Sequence, residues 1–391
     1  MDTKLILTNE ILDIALGMYV YTYPVIGKGM ADVYVLRPYG FQVYEIVNGV
    51  DLENLDLDNF TGFNTDYCSD SNKYVYVVEK MNFDSYTLCR LMQKVLKCKS
   101  CEVLGLKDAK AITRQVVVLS VCSKPNKVMN MQYRRRYIKA FLWYCNPGII
   151  IHNGNKFRVK IITKDLDLIK KNLKFVQEYN YIFLNFFGYQ RFGTRRPITH
   201  LLGKLLLKNE LDLFMEILCN LRTGKIIEKL EGIVCKNWFD HNDALKSVKN
   251  IPKNYILLYI NAYQAYLFNL MLSKLWLKLL ELYGFKEAFK KMINEYRYLP
   301  IVGSKFHVNH KPVREVLDDI MSIEDIDPSY FHVKILALEV KGDIRQALAQ
   351  AQNVKTYFDY EGLELSFVLD RGCYATSFIR EIIRTNPLNY T

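Results

Sequence analysis

Asp108 lies between Lys107 and Lys110 in Gly105-Leu-Lys-Asp-Ala-Lys-Ala-Ile-Thr-Arg-Gln115, just ahead of a β-branched run at residues 116–121. Nearby cations favour the ionised form of a carboxyl, so this spacing describes an acid kept charged beside a strand. A fixed carboxylate can take a proton or attack an electrophilic carbon. On its own, an acid among lysines reads as a solvated surface loop, so other segments must decide. Asn185-Phe-Phe-Gly-Tyr-Gln-Arg-Phe-Gly193 combines a buried-type aromatic pair with Gln190 and Arg191, which could bind phosphate or brace the loop. On their own, Phe186 and Phe187 read as core residues. Two more segments stand out, Asn261-Ala-Tyr-Gln-Ala-Tyr-Leu-Phe-Asn269 and Gly372-Cys-Tyr-Ala-Thr-Ser-Phe-Ile-Arg-Glu381.

The elements that position such residues can be read from pattern. The chain has 391 residues, half of them apolar, which suits a folded protein of two domains rather than a disordered one. Strand-like runs occur at residues 42–47, 74–78, 116–121 and 158–162, with helical spacing at 86–98 and 165–179. Beyond Pro197 the pattern turns helical at 200–221, 255–283, 286–296, 313–321 and 342–352. Residues 363–369 alternate again and 375–384 close with a helix. The expected class is therefore α+β: a mixed domain at residues 1–198, a mostly helical insertion at 199–345, and a return to the first domain at 346–391. Residues 255–273 carry no charge, close to the roughly 20 residues a bilayer span needs. Their embedded Asn and Gln residues and the helical spacing beyond Lys274 predict a buried helix, with no membrane partner.

Charge and cysteine usage narrow the function. The net charge is +12. Residues 122–208 hold 18 Lys and Arg against three acids, whereas residues 1–72 hold three basic residues against 11 acids. Such asymmetry predicts a basic face for a polyanion, nucleic acid first. Arg134, Arg135, Arg136, Arg195 and Arg196 are the candidates for backbone contacts, with a solvated basic face as the alternative. Nine cysteines at irregular spacing, after a start that has an early acid and no basic leader, are expected as free buried thiols in a reducing, cytoplasmic compartment. Cys98-Lys-Ser-Cys101 has half a zinc site's spacing, but no second pair follows, so no metal is expected.

Taken in order, the segments around Asp108, Asn185–Gly193, Asn261–Asn269 and Gly372–Glu381 resemble the TruD-type family of RNA pseudouridine synthases, over roughly Arg37 to the last residue. The resemblance implies a pseudouridine synthase catalytic domain split by a family-specific insertion. It also implies a cofactor-independent isomerisation, in which the N1 glycosidic bond of a uridine breaks and the base rejoins through C5. Asp108 corresponds to the family's essential acid, as nucleophile or as base. Phe187 corresponds to the aromatic that stacks on the target base once it has left its own stack, and Asn185 to the motif's polar contact. The implied substrate is tRNA, at a uridine of the D-arm region, acted on by a monomer.

Arg37-Pro-Tyr-Gly-Phe-Gln-Val-Tyr-Glu45 keeps the family's Phe41 and Glu45 but has Tyr39 and Gly40 in place of two acids. Val35 stands where the family has a lysine that balances the catalytic acid, leaving Arg37 or Lys107 to replace it. These departures leave two other readings open. One is an RNA-binding protein that keeps the fold with impaired catalysis. The other is a synthase acting on another tRNA position or another RNA.

Overall fold

Val75, Val77, Val116 and Val118 point to one side of their strands, and Tyr74, Tyr76, Val78, Val117 and Leu119 to the other, since side chains alternate along a strand. Strands apolar on both faces must be covered on both. Lys73–Met81 (β2) and Ile112–Cys122 (β4) accordingly form the buried centre of an eleven-stranded sheet. The computed structural model describes residues 6–24, 32–57, 68, 71–105, 107–123, 125–193, 196–220, 229–308 and 310–391.

Around that centre lie Phe41–Val47 (β1), Cys98–Val103 (β3), Val128–Tyr133 (β5), Arg136–Cys145 (β6), His152–Ile162 (β7), Gln352–Phe358 (β12) and Gly362–Asp370 (β13). The order is β12-β13-β7-β1-β4-β2-β6-β5, with β3 on β4. These neighbours are antiparallel except β1 and β4, which run parallel. A parallel pair needs a crossover, and here it passes through β2, helix Ser85–Leu96 (α2) and β3. A short helix, Ile11–Ala15 (α1), precedes the sheet in sequence. Helix α2 covers the Tyr76 side of the sheet, while Leu52 and Leu57 cover the Val75 side. Under the other half, Leu166–Glu178 (α3) and Ala375–Ile383 (α10) pack on β7 and β13, with Phe367 stacked on Phe157 at 5.2 Å and edge-on to Phe378 at 4.8 Å.

Between Ile182–Leu184 (β8) and Leu348–Gln350 (β11), which pair with each other, the chain makes a helical excursion. It comprises Thr199–Leu207 (α4), Leu211–Asn220 (α5), Lys229–His241 (α6), Ala244–Lys249 (α7), Lys253–Asn294 (α8) and Lys311–Glu324 (α9). The architecture is thus α+β, as expected, with helices inserted into a mixed-sheet domain. The uncharged stretch 255–273 lies inside α8 and is largely buried; among the described residues no helix is long and apolar enough to cross a membrane.

Three expectations change. Residues 200–221 form two helices, α4 and α5, rather than one. The two helical patterns 255–283 and 286–296, in contrast, are kept as two helices that meet at the non-helical Gly284 (φ +69°) within α8. Residues 342–352, read as helical from an Ala-rich pattern, are strands: Asp343–Gln346 (β10) pairs with Tyr298–Ile301 (β9), and β11 with β8. Cross-strand partners override an intrinsic propensity worth less than about 1 kcal/mol per residue. The cysteines also depart from the free-thiol expectation. They form four disulfides, Cys68–Cys145, Cys89–Cys101, Cys98–Cys122 and Cys219–Cys235, leaving Cys373 free. Cys98 and Cys122 are opposite each other in the β3–β4 ladder, a proximity that irregular spacing conceals. Cys98 and Cys101, the half zinc site, therefore serve two separate bridges.

Candidate active site

The parallel register of β1 and β4 sets Gln42 beside Ile112. Four residues before Ile112 comes Asp108, and five before Gln42 comes Arg37, so the two loops that lead into these strands run side by side. The Arg37 guanidinium meets the Asp108 carboxylate through Nη1 and Oδ2, with side-chain exposures of 7% and 18%. Arg37 lies over the Phe41 ring at 3.9 Å, a cation–π contact at the first residue of β1. Its Nη1 also donates to the Lys110 carbonyl at 3.2 Å, and Nε and Nη2 donate to the Tyr390 carbonyl at 3.2 and 3.0 Å. Among the described residues, Asp108 Oδ1 accepts only the Lys110 backbone N–H, at 3.1 Å. Each carboxylate oxygen so keeps acceptor capacity for a substrate.

The flanking lysines do not balance Asp108 as expected. Lys107 turns inward to Glu45, Nζ to Oε1 at 2.6 Å, in a pair with side-chain exposures of 6% and 0%. Glu45 Oε2 in turn accepts from Val116 N at 2.7 Å, so this pair ties β1 to β4. Lys110 is exposed. Of the two candidates, Arg37 and not Lys107 is the cation that meets Asp108. Lys80 was not singled out in the sequence, although it is a lysine near the end of a mostly apolar strand. It is fully buried, and its Nζ donates to the carbonyls of Phe83 at 2.6 Å and Asp108 at 3.1 Å.

Burial pushes the Lys80 ammonium down to about 8, against an opposing pull from Asp108. Below pH 8 it is protonated in folded and unfolded chains alike. Between pH 8 and the ordinary value near 10.5 only the unfolded chain keeps the proton, so stability rises with pH across that window. Relative to Lys80→Met, the wild-type protein should therefore gain up to about 3 kcal/mol from pH 8 to 10.5. Urea midpoints of both proteins at several pH values measure this. A flat difference would mean that the ammonium sits in a water-like setting.

The aromatic loop is built from three distant segments. Phe186 is buried and Phe187 half-buried. Asn269, in the middle of α8, brackets Phe187 with its amide: Oδ1 accepts from Phe187 N at 2.8 Å, and Nδ2 donates to Phe187 O at 3.1 Å and to Leu16 O at 3.0 Å. Ser377 Oγ, on α10, donates to Phe186 O at 3.2 Å. Gly188 is needed for close approach, because a Cβ there would lie 2.8 Å from Tyr374 and Thr376. Gly193 takes φ +92°, a left-handed turn that glycine adopts without strain.

Asn185 faces Arg345 of β10 rather than open space. Arg345 Nη2 donates to Asn185 Oδ1 at 2.8 Å, Nε to Asn185 O at 3.1 Å, and Nη1 to Gly372 O at 2.9 Å. The same guanidinium lies 4.0 Å from the Phe187 ring centroid, and Phe268 meets that ring edge to face at 5.5 Å. Arg191 stands 6.0 Å from the ring centroid, with Nε lacking a hydrogen-bond partner among the described residues, and Gln190 is exposed. Sequence reasoning missed Arg345, and it gave no role to Asn269, the last residue of the Asn261–Asn269 segment. A polar amide in an uncharged, apolar helix was the available signal for Asn269; nothing marked Arg345.

Arg134, Arg135 and Arg136 are all exposed, at the turn from β5 to β6. Asn82 Nδ2 donates to Arg135 O at 2.7 Å and Arg136 lies 5.8 Å from the Phe83 ring, so this hairpin adjoins the segment whose carbonyl Lys80 shares with Asp108. Arg90, Lys94 and Lys97 are exposed on α2 and its C-cap. Arg196, in contrast, donates to Glu231 at 2.6 Å and to Leu218 O at 3.2 Å, an internal tie of the helical block. Arg195 lies outside the described residues. On the opposite sheet face, a groove of about 880 Å³ is lined by Lys156, Arg158 and Lys160, but these cations already pair with Asp51, Glu53 and Asp359.

Comparison with known proteins shows the family and the fold. A probable tRNA pseudouridine synthase D of Saccharolobus solfataricus is 30% identical over 98% of this chain and all of its own length. That of Sulfurisphaera tokodaii is 29% identical over 92% of this chain and 95% of its own. The crystal structure of a candidate tRNA pseudouridine synthase D from Methanosarcina mazei superposes with a TM-score of 0.63 at 17% identity, covering 97% of this chain and 99% of that one, so the fold is shared. The family model described as tRNA pseudouridine synthase D (TruD) matches residues 16–230 and 285–382, which include Asp108, Arg37 and the whole Asn185–Gly193 loop; the chain belongs to the TruD family of isomerases.

Proposed function

We propose that this protein converts a uridine of tRNA, in the D-arm region, to pseudouridine, with Asp108 as the essential carboxylate. The observation that carries the reading is the Arg37–Asp108 pair. A partly exposed carboxylate is held by one anchored guanidinium and keeps acceptor capacity on both oxygens. The uridine leaves its stack to enter, and its base lies on the face of Phe187 away from Arg345. The N1–C1′ bond breaks, the held base turns, and C5 bonds to C1′ while the C5 proton moves to N1. No redox partner is consumed, so the chain works without a cofactor. Asn185 acts by fixing Arg345 beneath the ring, and Arg191, 6.0 Å from the ring centroid, adds a second cation beside it. The helical block at residues 199–345 forms an insertion domain that supplies Asn269 to this site.

Arg37 also answers the altered Val35, Tyr39 and Gly40 positions. The carboxylate retains a cationic partner, which favours an active enzyme over an RNA-binding protein with impaired catalysis. The reading describes a monomer at work in the cytoplasm. Its disulfides suit cells that grow hot, since intracellular proteins of hyperthermophiles are disulfide-rich. Pseudouridine mapping of total tRNA before and after treatment with the protein tests the proposal. New pseudouridine at one D-arm position supports it, modification elsewhere redirects it to another site or RNA, and none at all rejects it.

The exposed arginines carry a second expectation. RNA affinity should fall steeply with salt, because bound phosphates release counterions. Replacing Arg134, Arg135 and Arg136 by Gln should flatten the log–log slope by roughly 2 to 3, at about 0.7–0.9 for each phosphate no longer neutralised. Filter binding over a salt series measures this. An unchanged slope would move the RNA face to Arg90, Lys94 and Lys97.

A further inference from the structure

Tyr390 is only 1% exposed and connects the acid of the site to its aromatic loop. Its carbonyl accepts from two nitrogens of Arg37, whose third nitrogen meets Asp108. Its hydroxyl lies 2.8 Å from that of Tyr189, two residues beyond Phe187, and the two rings meet edge to face at 5.8 Å. Tyr189 donates to Asp13 Oδ1 at 2.6 Å. A phenol has one proton and a carboxylate only accepts, so Tyr390 is the donor between the two tyrosines.

The far end of this chain of bonds is anchored. Asp13 Oδ2 accepts from Arg380 Nε at 2.7 Å and from Thr8 Oγ at 3.1 Å. Arg380 also donates to Val20 O at 2.7 Å and Met18 O at 3.0 Å. Asp13 and Arg380 are 0% and 1% exposed. Breaking such a buried pair would leave an uncompensated charge, so its geometry is held firmly. By contrast, an arginine side chain left to itself loses much rotamer freedom when fixed in one orientation.

We propose that Tyr390 is a positioning residue: its carbonyl, held in place through Tyr189 by the Asp13–Arg380 pair, sets the angle at which Arg37 presents Nη1 to Asp108. This inference rests on the reading of Asp108 as the essential carboxylate. It assigns Tyr390 an action through Arg37 alone, with no contact to RNA.

The test is a double-mutant cycle on tRNA turnover, with Tyr390→Ala and Tyr390→Phe each made alone and with Arg37→Met. Tyr390→Ala should lower kcat between about 10- and 100-fold, the scale of a small misplacement of a catalytic group, and leave KM for tRNA unchanged. Tyr390→Phe keeps the buried ring and remains well folded but cuts the bond to Tyr189, so it should show a clear part of that loss, smaller than that of Tyr390→Ala. Combined with Arg37→Met, either change should cost nothing further, since coupled residues are not additive. Equal losses with and without Arg37, a KM that rises in step, or an unchanged kcat in both Tyr390 variants would overturn the inference. Asp108→Asn run alongside separates the two readings. An active Asp108→Asn rejects the assignment of the acid, whereas an inactive one with additive Tyr390 losses rejects the positioning role only.

Discussion

Asp108→Asn should yield a folded protein that binds tRNA and forms no pseudouridine above background, a loss of at least about 1,000-fold in turnover. The expected survival of the fold follows from what Arg37 keeps. Its Nε and Nη2 still have the Tyr390 carbonyl, and its Nη1 still has that of Lys110 and the amide oxygen of Asn. The lost charge partner should cost about 1–3 kcal/mol, which lowers the melting temperature by several degrees without unfolding the chain. Binding should hold or tighten, because a negative charge that faces phosphate is gone. Glu102 and Asp84 supply the contrast. Both are exposed, and Asp84 caps α2 through a hydrogen bond from Thr87 N at 2.7 Å, so amide replacements there should leave turnover intact. Measurable pseudouridine from a well-folded Asp108→Asn protein would remove this residue from the chemistry.

Phe187→Ala is expected to cut kcat by roughly 5- to 150-fold, the kinetic equivalent of about 1–3 kcal/mol of base stacking. The effect should fall on turnover far more than on RNA affinity, since phosphate contacts dominate binding and lie elsewhere. Phe187 is half-buried and stands on a backbone that Asn269 holds at both N–H and C=O, so removing its ring should leave the loop in place. Stability is the control. A core residue loses about 3–5 kcal/mol on truncation to alanine, whereas a ring that mainly serves a guest should lose less. Parallel losses of melting temperature and activity would return Phe187 to the core. Phe186→Ala, at a position 1% exposed, shows what that pattern looks like.

The sequence made some parts of this molecule legible and hid others for physical reasons. Asp108 and Phe187 were marked as candidates by the likeness of their compact motifs to the family's, not by their residue types alone. The partner of Asp108 stayed open between Arg37 and Lys107 because the choice depends on register. Parallel pairing of β1 with β4 brings Arg37 alongside across 71 residues, and the buried Glu45 draws Lys107 away. The strands at residues 343–350 were hidden because Ala-rich sequence favours helix locally, and only partners in β8 and β9 make it a strand. The disulfides were hidden in the same way, since bridges follow three-dimensional proximity and not spacing. Arg196 looked like its neighbours in the basic stretch, yet Glu231, in a helix beyond it, pairs with it.

Asn269 has a consequence for how the molecule could have been assembled. A residue from the middle of the longest helix of the insertion supplies both hydrogen bonds to the backbone that carries Phe187. The helical excursion is therefore a brace for the aromatic loop. A chain trimmed to the sheet and its own helices would keep Arg37 and Asp108, but not the support that shapes the aromatic loop. Transplanting the excursion onto a different catalytic sheet would carry this support along only with its matching loop.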